Sequence, residues 1–587
     1  MNSPSVRVAS DPYVLPESEM MTIDQQLDQA TQDKLRAAAR GKLPANAELI
    51  ADIRIPMRDG ILLSADVYRP KGASGPVPAV LSVAPYAKEL QLAPPLLTHS
   101  IEAGATDMLV DNGYIHVIAS QRGAGQSQGQ YKHMATIEQT DMYDLIEWIA
   151  QQDWCDGNLA MIGDSHFAVN SIWGATQRPP HLRCIIPYDA GCDFYRDMSH
   201  PGGLFKAGFM SKWWIDAVQQ FQWPGPVEGR LPPTNQIQEF LENPLDGPYW
   251  WERSPRYKLD QVEVPVLHIV PRSGIHTRGQ LWGYPLLKGR KKLVVVPPPT
   301  PAKEHWLFLK SGPLKAYMVQ WLDHWMKGIA TPIVDEPEVA IFDAGTGEWS
   351  YADSYPLAET QWTKFHLSGK GSEGSVGRIG LEAPSGTEAA DTYALPDWEQ
   401  VAAGKPVLSY ETAPCDAPLR IWGPLAATLY ASTTATDTAF FVHLDDMAPD
   451  GSVTHLTDGV LKASFRELDA EQSRPGQPYH PFTKRELPDS GKVYEYQIEL
   501  RPIFHTIKPG HRLRCRVQSN DPMFMNFLHT IYNTEMMPWP SFNSVHHDAE
   551  HPSHLLLPII PDSVGPRPVS APLADVAWPI AGLDWAS

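Results

Sequence analysis

Cysteine is scarce: five in 587 residues (Cys155, Cys184, Cys192, Cys415 and Cys515), widely spaced and with no Cys-x-x-Cys pair. That excludes a disulfide framework and a thiolate zinc site, and Cys184, inside an apolar run, reads as a small buried hydrophobe. Basic charge is also in deficit, with 48 Lys and Arg against 68 Asp and Glu and a net charge of −20. A nucleic-acid binder shows a basic patch or stripe; the GRKK cluster at 289–292 precedes an apolar run and reads as a solvated strand entrance, so no nucleic-acid partner is expected. No stretch of about 18 uninterrupted apolar residues occurs, so no membrane span or membrane partner is expected. The opening MNSPSVRVASDPYVLPESEMM lacks the apolar core of a signal peptide, which makes a cytoplasmic location the expectation. Gly123-Ala124-Gly125 is followed by neither a P-loop nor a complete dinucleotide fingerprint. His181, His200, His546 and His547 have no metal-ligand spacing. No metal and no cofactor is therefore expected.

What is present is length, proline and aromatic surface. A chain of 587 residues is too long for one core; its 56 prolines and 42 glycines are spread along it, and 19 tryptophans can fill a large core or line an apolar pocket. Residues 1–45 read as an extension, with a polar helix at 22–40. From Asp52 the texture alternates. IRIPMRDGILLSADVYRP reads as a hairpin about Arg58-Asp59-Gly60. PVPAVLSVAPY and YIHVIASQRGAGQS read as buried strands ending in loops. QTDMYDLIEWIAQQ places Met142, Leu145, Ile146 and Ile149 on one helix face. NLAMIGDSHFAVNSIWGATQ and LRCIIPYDAG continue the pattern, which predicts a mainly parallel sheet covered by helices.

Residues 191–254 interrupt that rhythm with Trp213, Trp214, Phe221, Trp223, Tyr249, Trp250 and Trp251, a composition suited to a helical cap over a pocket. VPVLHIV, KKLVVVP and the amphipathic PLKAYMVQWLDHWMKGI then resume the α/β pattern. The predicted core is therefore 46–190 with 255–335. Past 335, short strands without helices predict a β-sandwich or jelly roll over 336–587.

The chemistry concentrates at 159–168, LAMIGDSHFA. A short apolar strand runs into Gly163-Asp164-Ser165 and on into a helix-compatible segment, the pattern of a nucleophile elbow that exposes a serine hydroxyl at the end of a sheet strand. The usual second glycine is Phe167 here, with the small Ala168 one position on.

In these motifs the chain resembles the cocaine-esterase-like α/β-hydrolases, a group that also includes X-Pro dipeptidyl peptidases and some β-lactam acylases. The matching stretches, in order, are MRDGILLSADVYRP, APYAK at 84–88, RGAGQSQG at 122–129, GDSHFA, PPHLRCIIPYDAGCDFYRDMSHPGG at 179–203, YWWERSP at 249–255, VPVLHI at 264–269 and GHRLRCRVQSNDPMF at 510–524. The resemblance implies an α/β-hydrolase core, a helical cap and a jelly-roll-like C-terminal domain. It implies Ser165 as the acyl-forming nucleophile, with the Tyr86 hydroxyl and the His166 backbone N–H binding the oxyanion; an ordinary core tyrosine is the competing reading of Tyr86. The family's acid is expected just past VPVLHI, but 270–279, VPRSGIHTRG, contains no acid. His305, after the strand at LVVVPPPTPAKEHW, is the first candidate for the base, and His276 the runner-up. Asp189, directly after LRCIIPY, occupies the slot from which pancreatic-type lipases take their acid. Glu304 adjoins His305, but sequence neighbours rarely face each other.

These readings predict a serine hydrolase acting on an ester or amide of a small molecule, with an apolar or aromatic group favoured by the Trp-rich cap. The acid-free stretch at Gly274 motivates an alternative, a lyase, cyclase or acyltransferase on the same scaffold. A non-catalytic binding protein is the third reading. Assembly into a homo-oligomer stays open.

Overall fold

In the computed structural model, the described residues are 43–88, 102–222, 227–272, 274–297, 308, 310–371, 375–395, 397, 407–520 and 541–577. The helix expected at 22–40, and with it nearly all of the 1–45 extension, lies outside them. The expected hairpin forms from β1 (Ala47–Pro56) and β2 (Leu62–Pro70), paired antiparallel. Seven strands then run parallel: β3 (Val77–Ala84), β4 (Ile115–Ser120), β5 (Cys155–Asp164), β6 (Leu182–Tyr188), β7 (Val266–Pro271), β8 (Lys291–Val296) and β9 (Val339–Asp343). An antiparallel β10 (Glu348–Ala352) closes the far edge. The order β1-β2-β4-β3-β5-β6-β7-β8-β9-β10 lays the ends of β5, β6, β7 and β8 side by side, where loops after parallel strands collect chemistry. Every residue of β4 and β7 is buried, because helices cover both faces of the sheet.

The helices of core and cap are α1 (Thr106–Asp111), α2 (Thr136–Ala150), α3 (His166–Thr176), α4 (Ala207–Trp213), α5 (Gln236–Glu242), α6 (Pro248–Arg253), α7 (Thr277–Gly283) and α8 (Gly312–Lys327). In α2, Met142, Leu145, Ile146 and Ile149 are the buried face, as their spacing predicts. All eleven residues of α3 are buried, the polar His166, Asn170, Ser171 and Thr176 included, so this helix sits inside the molecule. The amphipathic α8 starts at Ser311, whose side chain accepts the Leu314 N–H, and stops at a left-handed Gly328. Between β6 and β7 the cap packs its own aromatic core, with Phe194 stacked on Trp250 at 5.9 Å and Phe240 on Trp250 at 5.5 Å.

Two strands past the expected boundary at 335/336 belong to the core sheet. β9 and β10 pair with the core sheet, so that sheet continues to Ala352. Both strands are short and lack helices between them, which is why they read as part of the β-rich region.

The β-domain contains β11 (Gln361–Ser368), β12 (Gly377–Gly380), β13 (Asp391–Leu395), β14 (Leu408–Glu411), β15 (Leu419–Thr433), β16 (Ala439–Met447), β17 (Val453–Lys462), β18 (Tyr494–Ile507), β19 (Arg512–Gln518), β20 (Ser541–His546) and β21 (His554–Ile559). The 15-residue β15 pairs with β18 along one edge and with both β20 and β21 along the other. The ladder β15-β18-β17-β16-β19-β14-β12-β11-β21 thereby returns to β15, the closed arrangement of a jelly-roll-like domain that leaves few free edges. Buried arginines tie the domains together. Arg196 pairs with Asp193 and Asp246 and donates to the His480 carbonyl of the β-domain, and Arg278 bridges Asp197 and Glu499.

Candidate active site

Strand β5 delivers its chain directly into Ser165, which has φ +56° and ψ −119°, a conformation costly for a non-glycine residue and sustained only where surrounding structure enforces it. The enforcement is visible. The Ser165 N–H donates to the Tyr188 carbonyl at the end of β6, and the Ser165 carbonyl accepts the Val169 N–H of α3, both at 3.0 Å. A Cβ placed on Gly163 would lie 2.2 Å from the Phe167 Cβ, so the first glycine of the elbow makes the room. With that room supplied, Phe167 is accommodated where a second glycine is usual, its ring 5.8 Å from that of Tyr86.

Tyr86 follows β3 and is 2% exposed. Its oxygen accepts a hydrogen bond from Trp213 Nε1 at 3.1 Å, which directs the phenol's own proton elsewhere. Burial, reinforced by the carboxylates of Glu102 and Asp164, pushes the Tyr86 pKa well up, so the group is a neutral donor at ordinary pH. His166 opens α3, where first-turn backbone N–H groups have no partner within the helix. Its ring lies between Trp213, stacked at 6.0 Å, and Tyr86 at 6.1 Å; burial lowers its pKa to about 3, so the imidazole is neutral. Among the described residues its Nε2 has no hydrogen-bond partner.

Asp189 follows β6 directly, fully buried and with φ +49°. Its N–H donates to Ile269 on β7 at 3.0 Å, and the next N–H, Ala190, donates to the Gln280 side chain. The Asp189 carboxylate presses on Gly274: a Cβ there would lie 2.5 and 2.8 Å from its two oxygens. Position 274, in the stretch where an acid was expected, is thus side-chain-free because a carboxylate from the neighbouring strand fills that space. His276, the runner-up for the base, is 5% exposed and lines the same pocket as Ser165 and His166. His305 lies outside the described residues.

That pocket has apolar walls from Met134, Val169, Phe194, Met198, Phe209 and Trp213, and encloses about 20 Å³, room for about one water molecule. Two features escaped the sequence reading. Trp213 was noted only as one of a crowd of cap aromatics, with no signal of its bond to Tyr86. The contact of Gly274 with Asp189 joins two loops 85 positions apart; the bare glycine in an acid's place was its one trace.

A serine elbow at the carboxyl end of a mainly parallel sheet, a cap over it and a closed β-domain behind it define an α/β-hydrolase. The family profile described as X-Pro dipeptidyl-peptidase (S15 family) matches residues 59–298, and that of the X-Pro dipeptidyl-peptidase C-terminal non-catalytic domain matches 333–556. Cocaine esterase from Rhodococcus sp. (strain MB1 Bresler) is 27% identical over 597 residues, covering 88% of this chain and 99% of that protein. Among solved structures, a CocE/NonD family hydrolase from Staphylococcus aureus superposes with a TM-score of 0.77 at 24% identity, over 88% of this chain and 94% of that one. An aminopeptidase from a marine sediment Thaumarchaeota archaeon gives 0.70 at 21% identity, over 88% and 97%. The chain belongs to the cocaine-esterase-like (CocE/NonD) and X-Pro dipeptidyl-peptidase family, and is a hydrolase of ester or amide bonds. Among the described residues no helix is long and apolar enough to cross a membrane.

Proposed function

We propose that this chain is a serine hydrolase that cleaves a small ester or amide through an acyl-enzyme on Ser165. The observation that carries the reading is Ser165, held in a strained elbow, with neutral Tyr86 packed against the first turn of the helix that follows it. In this mechanism Ser165 Oγ attacks the carbonyl while an imidazole takes its proton. The Tyr86 hydroxyl and the His166 N–H stabilise the oxyanion as charge develops. The protonated base then delivers its proton to the leaving group, and water attacks the acyl-enzyme by the same route.

His305 serves as the base by its position after β8, and Asp189 orients and stabilises it. Support for Asp189 comes from its burial, its seat beside the elbow and its occupation of the space that a side chain at Gly274 would need. His276 supplies a second reading for the base, favoured by its place in the Ser165 pocket. The acid-free stretch at Gly274 is the motive for a lyase, cyclase or acyltransferase, and the Asp189 carboxylate against that glycine weakens it. The apolar and aromatic walls favour a substrate with an apolar or aromatic group.

Incubation with a fluorophosphonate followed by peptide mass mapping tests the nucleophile. The expected result is one covalent adduct on Ser165, absent in Ser165→Ala; ester turnover surviving in that variant would overturn the proposal. Comparing His305→Gln with His276→Gln assigns the base, because only loss of the true base lowers both acylation and labelling.

A further inference from the structure

Far along the chain from the elbow, β16 and β17 assemble a cluster that neither strand contains alone. His443 lies opposite Asp458, and Asp445 opposite His455. Residues 455 and 458 are three apart, which in a regular strand would send them to opposite faces. The register shifts between Leu444 and Asp445, leaving an extra residue, Leu456, on β17. This bulge returns His455 to the face of Asp458, one of the ways a bulge re-aims a side chain. As a result, one ligand atom each from His443, His455 and Asp458 lie within 4.8 Å of one another.

The hydrogen bonds around the cluster leave acceptors facing inward. His455 Nδ1 is 3.1 Å from Asp445 Oδ1 and its Nε2 is 3.3 Å from Asp458 Oδ2; in the neutral ring that donates from Nδ1, a lone pair on Nε2 faces Asp458. Two acceptors at that distance need a proton or a cation between them. His443 is 2% exposed, and among the described residues its Nε2 has no hydrogen-bond partner. A proton on His455 satisfies the pair with Asp458 but leaves His443 Nε2 unmatched; a cation engages all three groups.

We propose that His443, His455 and Asp458 form a binding site for a divalent transition cation of the zinc class. Two imidazoles and one carboxylate are a donor set that zinc takes readily, with further positions left for water or an exogenous ligand. Asp445 behind His455 supplies the carboxylate–histidine support usual in such sites. The charges around the site are three guanidiniums, each already engaged: Arg501 with Asp458, and Arg514 and Arg516 with Asp445. Affinity therefore comes from the direct bonds rather than from a negative field. His443 and Asp458 also line a cavity of about 110 Å³ between the cap and the β-domain, shared with Arg278, Glu499 and Ile275, the neighbour of His276.

The test is titration of chelator-stripped protein with ZnCl2 by calorimetry, and with CoCl2 followed by its visible absorption. Uptake of about one equivalent is expected, with intense cobalt bands indicating low coordination number. That equivalent should vanish in His443→Ala and in His455→Gln, the latter at a 39%-exposed side chain and close in size to the residue it replaces. It should persist in His551→Ala, which disables the separate His546, Asp548 and His551 cluster. Absence of uptake, uptake surviving His455→Gln, or uptake lost in His551→Ala alone would overturn the proposal. None of these readouts depends on Ser165 chemistry.

Discussion

At the carboxyl edge of the ten-stranded sheet, Tyr86, His166 and Glu138 are buried and held neutral. Burial raises the pKa of Tyr86, lowers that of His166 to about 3, and raises that of Glu138 on α2 to about 8. In the β-domain, Asp445 and Asp391 are instead crowded with donors and held ionised. Asp445 receives Arg514, Arg516 and His455, and Asp391 receives Tyr410, His547 and the Gly371 N–H; both have lowered pKa values despite burial. Saturated carboxylates hold strands in register. Neutral donors in a dry pocket cost stability, but they respond strongly to charge appearing on a bound molecule. On the proposed mechanism, the two regions use the same physics for rigidity in one place and for reactivity in the other.

The contrast can be broken at several points. Ser165→Ala is expected to lower kcat/KM by at least about 10⁴-fold, measured on the best activated ester. Asp189→Asn is expected to lower kcat by about 10³- to 10⁴-fold with little change in fold, since an amide cannot stabilise the imidazolium. Gly274→Asp alone should also inactivate by displacing the Asp189 carboxylate, whereas Asp189→Gly combined with Gly274→Asp should recover part of the activity. If the double variant is no better than either single one, the two positions do not share one carboxylate site. Tyr86→Phe should cost about 10²- to 10³-fold in kcat with KM little changed.

Glu138 sharpens the comparison through pH. Its folded-state pKa, about 8 against an ordinary 4.5, means that the folded protein keeps a proton which the unfolded chain has released. The stabilisation from that proton is complete below about pH 4.5 and is lost as pH rises toward 8. Glu138→Gln should therefore flatten the fall in unfolding free energy between pH 5 and pH 8, by on the order of a few kcal/mol, in urea titrations at the two pH values. The smallest effect is expected from Trp213→Phe. Removing one donor to Tyr86 should lower kcat by about 10-fold or less, and a larger loss would mean that the indole also shapes the substrate pocket.

The elbow was legible because every part of it is local: an apolar strand, a glycine, a serine and a helix within about a dozen positions. The parallel core was legible for the same reason, in alternating strand and helix periodicities. The edge strands at 339–352 read as part of the β-rich region because a short strand carries no mark of the sheet it joins. Asp189 could be nominated from its place after β6, but nothing in its neighbourhood told of Gly274. The His443, His455 and Asp458 cluster could not be seen at all, since it depends on a bulge and on the pairing of two strands.

Local order along the chain determined the hydrolase scaffold, the serine elbow and the succession of strand–helix and β-rich segments, because strand and helix periodicity and a tight turn are properties of a few consecutive residues. Only the folded chain decided that the Asp189 carboxylate fills the space at Gly274, that Trp213 engages Tyr86, and that the core sheet extends to Ala352. Each of these is a contact between residues far apart in the chain, set by close packing and strand registry, which no stretch of neighbouring residues encodes alone.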